Sequence, residues 1–194
     1  MTRTEEQRLI RLAAAGDRDA AETFIRTHQK SLYMYILRLS GRPEVSEDVV
    51  QEAFVRVLTN LDRFNTRFRF STWLFTIARR VYLNMCEKRR PASVSDMAGT
   101  WIGTGRRPDA VVADQEMNGV ARDELQSGLM SLSMEQREIL VLFHQHDWPI
   151  WLIAEHMNMP EGTIKSHLHR GRRRLREVLV ERKSPVADAQ EVWS

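Results

Sequence analysis

The sequence predicts an all-α fold: two small helical domains joined by a flexible linker. Three observations carry that reading. Apolar residues recur at intervals of three and four along most of the chain, and no series of strand-length alternations competes with them. Capping residues and glycines punctuate these stretches at helix-length intervals. One segment, residues 91–119 (PASVSDMAGTWIGTGRRPDAVVADQEMNG), breaks the pattern, being rich in Gly, Pro, Ser and Asp and without a period. Its apolar pair, Trp101 and Ile102, stands isolated and suggests no defined role.

Each helix has its own justification. The first, Glu5 to Ala15, stops at Gly16, and Asp17 or Asp19 caps a second that runs through Phe24, Ile25, Leu32, Tyr35, Ile36 and Leu39 to Gly41. Ser46 is expected to cap a third, with Glu47 and Asp48 at the positive end of its dipole. The apolar stripe of that helix, Val50, Ala53, Phe54, Val57, Leu58 and Leu61, leaves Asp48, Gln51, Glu52 and Arg56 facing outward. A loop, Asp62 to Ser71, leads to a fourth helix from Thr72 with the stripe Leu74, Ile77, Ala78, Val81 and Met85. These four make a first domain, residues 1–90. Beyond the linker the helical pattern resumes near Val120 and, after Ser133, continues through Ile139, Leu140, Leu142 and Phe143 to about His146, before the turn at Trp148-Pro149. The second domain is expected over 120–183, and the tail 184–194, SPVADAQEVWS, is too short to reveal another.

The sharpest local pattern lies in this second domain. A short helix (Ile150 to Met157), a tight turn (Asn158, Met159, Pro160) and a long helix from Glu161 to about Arg182 have helix-turn-helix geometry. Ala154 is small where the two helices must approach, and Ile164, Leu168, Gly171, Leu175 and Val178 form the buried stripe. The opposite face offers Lys165, Ser166, His169, Arg170 and Arg173, side chains suited to base edges and phosphates and carried on a helix narrow enough for the major groove.

Charge is distributed to match. The net charge is only +3, yet residues 63–90 carry eight Lys or Arg against one acid and residues 161–176 carry six against one, whereas 91–160 carry four against ten. Two compact basic segments in separate helical regions favour a polyanion touched at two points.

Other classes fare poorly. No stretch reaches the roughly 18 apolar residues of a membrane helix, and the opening MTRTEEQRLIRL carries charges where a signal peptide would be apolar. The expectation is therefore a cytoplasmic chain with no membrane insertion, and the lone Cys86 fits a reducing compartment. There is no glycine-rich phosphate loop, nucleophile elbow or paired-carboxylate arrangement, so an enzyme is not expected and no cofactor is implied. His144, His146 and His156 follow no recognised zinc spacing, so no metal site is expected of them.

Two segments together resemble a known family. SEDVVQEAFVRVLTNLDRFNTRFRFSTWLFTIARRVYLNMCEKRR resembles region 2 of extracytoplasmic-function (ECF) sigma factors of the sigma-70 family, and SLSMEQREILVLFHQHDWPIWLIAEHMNMPEGTIKSHLHRGRRRLREVL resembles their region 4. The resemblance implies an alternative sigma factor that binds core RNA polymerase and directs promoter-specific initiation. By it, Asp48, Gln51 and Glu52 would dock on the clamp helices of the largest polymerase subunit, with the flap as a further contact. The loop from Phe64 to Phe70 would capture a base flipped out of the minus-10 element. Phe64, Asn65, Phe68 and Phe70, with Trp73 more a core candidate than a base contact, would supply polar and stacking surfaces. Arg67, Arg69, Arg79 and Arg80 would hold the melted strand. Lys165, Ser166, His169 and Arg170 would read the minus-35 element, with Arg172, Arg173, Arg174 and Arg176 on phosphates. An anti-sigma factor is a further implied partner. Arg80 stands where relatives often have Asn, His167 where they often have Arg, and DWPIWLI replaces a more polar start to the first helix of the pair. Promoter sequence does not carry over through such changes. A stand-alone helix-turn-helix regulator would account for residues 133–182 but leaves the acidic helix and the aromatic-basic loop without a purpose. A protein-binding adaptor is argued against by the concentrated arginines.

Overall fold

The computed structural model describes residues 2–65, 69–88 and 113–183. Arg67 and Phe68, the linker through residue 112 with Trp101 and Ile102, and the tail 184–194 lie outside the described residues. Among those described, the helices form two compact units, each with its own core. No described helix is long and apolar enough to cross a membrane.

In the first unit α1 (Arg3–Ala14) begins two residues before the expected start, because Thr2 forms a capping box with Glu5. Gly16 follows at φ 90°, a left-handed turn that a side chain would strain. Asp17 then accepts from Ala20 N at 3.0 Å and starts α2 (Arg18–Ser40), which Gly41 closes at φ 68°.

The next helix, α3 (Pro43–Leu58), corrects one expectation: Ser46 does not cap it. Pro43 takes the first turn, where its missing N–H would have had no partner and its fixed φ already suits a helix. Ser46 therefore lies a turn inside, buried, its hydroxyl donating to Arg42 O at 2.8 Å and 3.1 Å from Ser40 Oγ. Leu61 reaches the core from a separate 3-10 turn, Leu61–Arg63.

The last helix of this unit, α4 (Phe70–Lys88), starts at Phe70 and not Thr72. Its buried stripe is Phe70, Leu74, Phe75, Ala78, Val81 and Tyr82, with Ile77 and Met85 only half-buried. The rings decide this rotation. Phe75 meets Tyr35 of α2 at 4.8 Å, and the Tyr82 hydroxyl donates to Leu39 O at 3.4 Å, so large side chains that span the gap to α2 take precedence over shorter ones.

The second unit opens with α5 (Ala113–Met130), which covers 113–119, a stretch expected to be linker. The sequence ADQEMNG holds too few apolar residues for a period to show there. Gly128 lets α5 approach α8 (Glu161–Lys183): a Cβ on it would stand 2.7 Å from Leu175 Cδ1. Between them, α6 (Met134–His144) starts at a Ser133–Gln136 capping box and ends two residues short of His146. After it comes α7 (Ile150–Met157), with the bounds the sequence predicts. Ile139, Leu142, Ile153 and Ile164 are fully buried between α6, α7 and α8, each contributing about 1.5–3 kcal/mol.

Candidate functional site

The α7–α8 corner is built from its backbone outward. Asn158 adopts the left-handed conformation (φ 53°, ψ 48°), which asparagine tolerates better than most residues, and its N–H donates back into α7. Met159 N donates to Ala154 O at 3.0 Å, and the Pro160 carbonyl accepts from Thr163 N and Ile164 N at 2.9 and 3.1 Å to launch α8. Ile153, Ala154 and Met157 of α7 are buried, as are Ile164, Leu168 and Val178 of α8, while Leu175 is half-buried. Gly171 leaves room for Leu140, whose Cδ1 would lie 3.0 Å from an added Cβ.

With that side committed to the core, the opposite side faces water. Lys165, Ser166, His169, Arg170, Arg172, Arg173, Arg174 and Arg176 are all exposed. The Ser166 hydroxyl donates to Gly162 O at 3.0 Å, which leaves its oxygen as an acceptor. Lys165 lies 4.0 Å from Glu161, and Glu177 draws both Arg173 and Arg174 to 3.6 Å. Arg172 is held differently: its Nε donates to His144 Nε2 at 3.0 Å, and its guanidinium lies over the Phe143 ring, 5.2 Å from the centroid.

Behind this face lies a polar framework that the sequence reading missed. Glu138 and His156 are buried, with Oε1 and Nε2 3.2 Å apart, and Trp148 packs edge-on against the imidazole at 5.2 Å. Arg137 is buried too, donating from Nε to Leu129 O at 2.9 Å and from Nη2 to Met130 O and Leu132 O at 3.3 and 3.1 Å. The signal was present: Arg137 and Glu138 precede the apolar run Ile139–Leu142 and fall in helical phase with Val141 and Leu142.

In the first unit, Asp48, Gln51 and Glu52 are exposed along α3, with Glu52 Oε1 accepting from Arg56 Nε at 2.6 Å. Val55, which sequence reasoning passed over, is 58% exposed and stands on the same face, one turn beyond Gln51 and Glu52. An exposed valine at the end of this acidic row adds an apolar spot to that surface.

The aromatic-basic region is only partly an open surface. Phe70 is fully buried, 4.6 Å from Phe24 and 5.2 Å from His28, which corrects its assignment as a stacking surface: as the first residue of α4 it plugs the core against α2. Phe64 and Trp73 are half-buried and lie 5.2 Å apart, each in contact with Phe70. Asn65, Arg69 and Arg80 are exposed and Arg79 is half-buried. Burial lowers the pKa of His28 beneath this cluster.

Two separately folded helical units, one with a basic helix-turn-helix and one with an acidic helix beside an aromatic-basic patch, define a class. Residues 24–91 match the family described as Sigma-70 region 2, and residues 122–175 match Sigma-70, region 4. The ECF RNA polymerase sigma factor SigW of Bacillus subtilis (strain 168) is 30% identical over 180 residues, covering 88% of this chain and 94% of the relative. The chain belongs to the ECF sigma factors of the sigma-70 family. The fold agrees with two solved structures. CnrH in complex with the cytosolic domain of CnrY has a TM-score of 0.67 at 21% identity, covering 91% of this chain and 97% of that one. The sigma factor RpoE with the anti-sigma factor NepR, from Bartonella quintana, has a TM-score of 0.63 at 23% identity, covering 81% and 95%.

Proposed function

We propose that this chain binds core RNA polymerase and directs it to a particular set of promoters, acting by binding rather than catalysis, in the cytoplasm. The observation that carries this reading is the presence in one chain of both matched regions, each with its charged face turned to solvent. Residues 1–90 take the polymerase and the minus-10 element, and residues 120–183 take the minus-35 element. Asp48, Gln51 and Glu52, with Val55 among them, meet the clamp helices: carboxylates steer the approach to a basic partner and a desolvated valine adds affinity. The polymerase flap is the contact for the second domain.

On α8, Lys165, Ser166, His169 and Arg170 read base edges, while Arg172, Arg173, Arg174 and Arg176 hold phosphates. In the first domain Phe64, Asn65, Arg67, Phe68, Arg69, Arg79 and Arg80 receive the opened strand. Opening needs no chemistry, only binding energy placed on the open form. An anti-sigma factor is a further partner, a reading supported by the complex of the similar sigma factor RpoE with the anti-sigma factor NepR.

The test is reconstitution. Mixed with core polymerase, the purified chain should co-elute with it in gel filtration and support initiation on genomic DNA fragments that core polymerase alone leaves silent. A chain that finds its DNA site equally well without polymerase, in a gel-shift comparison, would instead be a stand-alone regulator.

A further inference from the structure

Arg172 and Arg174, both assigned to phosphates, are held in different ways. Two residues are about 200° around a helix, so the two arginines occupy opposite flanks of α8. Arg172 shares its flank with Lys165, about two turns earlier, and this is the side that faces the end of α6. There His144 and Phe143 take it from two directions, a hydrogen bond to Nε at 3.0 Å and a ring face under the guanidinium at 5.2 Å. Arg174 instead meets, among the described residues, Glu177, an exposed carboxylate 3.6 Å away on its own helix.

An arginine accepting nothing and donating through five N–H groups keeps its terminal Nη groups for a ligand when Nε is already engaged. The imidazole must be neutral at Nε2 to accept this bond. Burial, and then the neighbouring Arg172 charge, lower the His144 pKa and favour that form.

We propose that His144 is a positioning residue for DNA binding: with Phe143 it fixes the Arg172 guanidinium beside α8 before DNA arrives, so that this flank meets a phosphate with a side chain already ordered. The inference rests on the reading of α8 as the DNA helix. It gives the second helix-turn-helix flank a partner in α6, outside the motif itself. Ordering a free arginine on binding would otherwise oppose association, and the exposure of both residues to water reduces the gain, so loss of the acceptor should weaken binding about three- to tenfold.

The experiment uses the full chain and a fluorescein-labelled duplex of mixed sequence at low salt, because phosphate grip does not depend on base sequence. His144→Leu should weaken binding by that factor, whereas His144→Gln, whose amide oxygen can reach the same Nε–H, should bind as the wild type does. In an Arg172→Ala background, which itself should bind less tightly, His144→Leu should have no further effect. Helix content by circular dichroism should match that of the wild type in all four variants. If Arg172→Ala weakens binding but His144→Leu does not, or if the two losses simply add, His144 does not act through Arg172 and the inference fails while the reading of α8 stands. Indifference of Arg172→Ala, Arg174→Ala and Lys165→Ala alike would overturn both.

Discussion

Arg137→Ala is the substitution whose cost the structure makes most calculable. The guanidinium is buried and donates to the carbonyls of Leu129, Met130 and Leu132, where α5 ends and the turn to α6 begins. Leu129 O also accepts from Leu132 N at 3.1 Å, while Met130 O and Leu132 O, at and past the end of α5, have no later N–H of that helix to accept from, so the arginine serves as a cap there. Alanine leaves three acceptors without this donor and removes a packed aliphatic stem. At roughly 1 kcal/mol or more for each charge-assisted bond, the loss is about 3–5 kcal/mol. A unit the size of 113–183 has about 4–10 kcal/mol in all. Hydrogen exchange followed by mass spectrometry should show peptides of α5–α8 losing most of their protection, with those of α1–α4 unchanged. The thermal transition of the second unit should fall by at least about 10 °C. Arg137→Lys, a single point charge without the planar fork, should lie between. Wild-type exchange across α5–α8 in the alanine variant would mean that water serves those carbonyls equally well, and the argument would be wrong.

Four further outcomes are expected. Reversing charge at Asp48 and Glu52 together should weaken association with core polymerase in a pull-down without changing helix content, and Val55→Asp should do the same, since all three side chains are exposed. Arg170→Ala should cost about 1–3 kcal/mol on the cognate minus-35 sequence and blur discrimination, whereas Arg174→Ala should weaken all duplexes alike and flatten the salt slope by about one ion; both are read in holoenzyme titrations on promoter variants. The isolated chain should bind duplex weakly and lose it as salt rises, because two basic units on one chain act together only when a scaffold fixes their spacing. Burial, opposed in part by Asp147, pushes His146 down from 6.5 to about 4, so the folded state declines a proton the unfolded chain accepts. The associated stability is complete above about pH 6.5 and drains away as pH falls through the window to about 4. After allowing for partial exposure it amounts to about 1–3 kcal/mol, and His146→Gln should flatten that part of a denaturation-versus-pH curve.

What the sequence made legible, and what it did not, follows from which interactions are local. Gly16 and Gly41 end their helices as read, and α7 with its turn at Asn158 falls where the pattern placed it, because capping and periodicity involve near neighbours. Ser46 misled because a serine followed by acids imitates a cap, while Pro43 three residues earlier carried the stronger signal. Phe70 reads as a surface aromatic among arginines, yet its position is decided by Phe24 and His28 on a helix more than forty residues away in the chain. Separation along the chain also hid the Glu138–His156 pair, 18 residues apart, and the hold of His144 on Arg172, 28 residues apart. The eight α8 residues assigned to DNA came through as exposed because a helix long enough to show its stripe also shows its opposite face.

The glycines at 128 and 171 have a consequence of a different kind. By admitting Leu175 and Leu140 so closely, they commit one side of α8 to packing, and the residues proposed to meet the bases are left with almost no part in folding. Substitutions at Lys165, Ser166, His169 and Arg170 should each shift stability by less than about 0.5 kcal/mol. Recognition on this scaffold is therefore free to drift. Duplicated copies could diverge toward different promoters through these positions alone, and a designer could randomise all four in a library and expect nearly every member to fold.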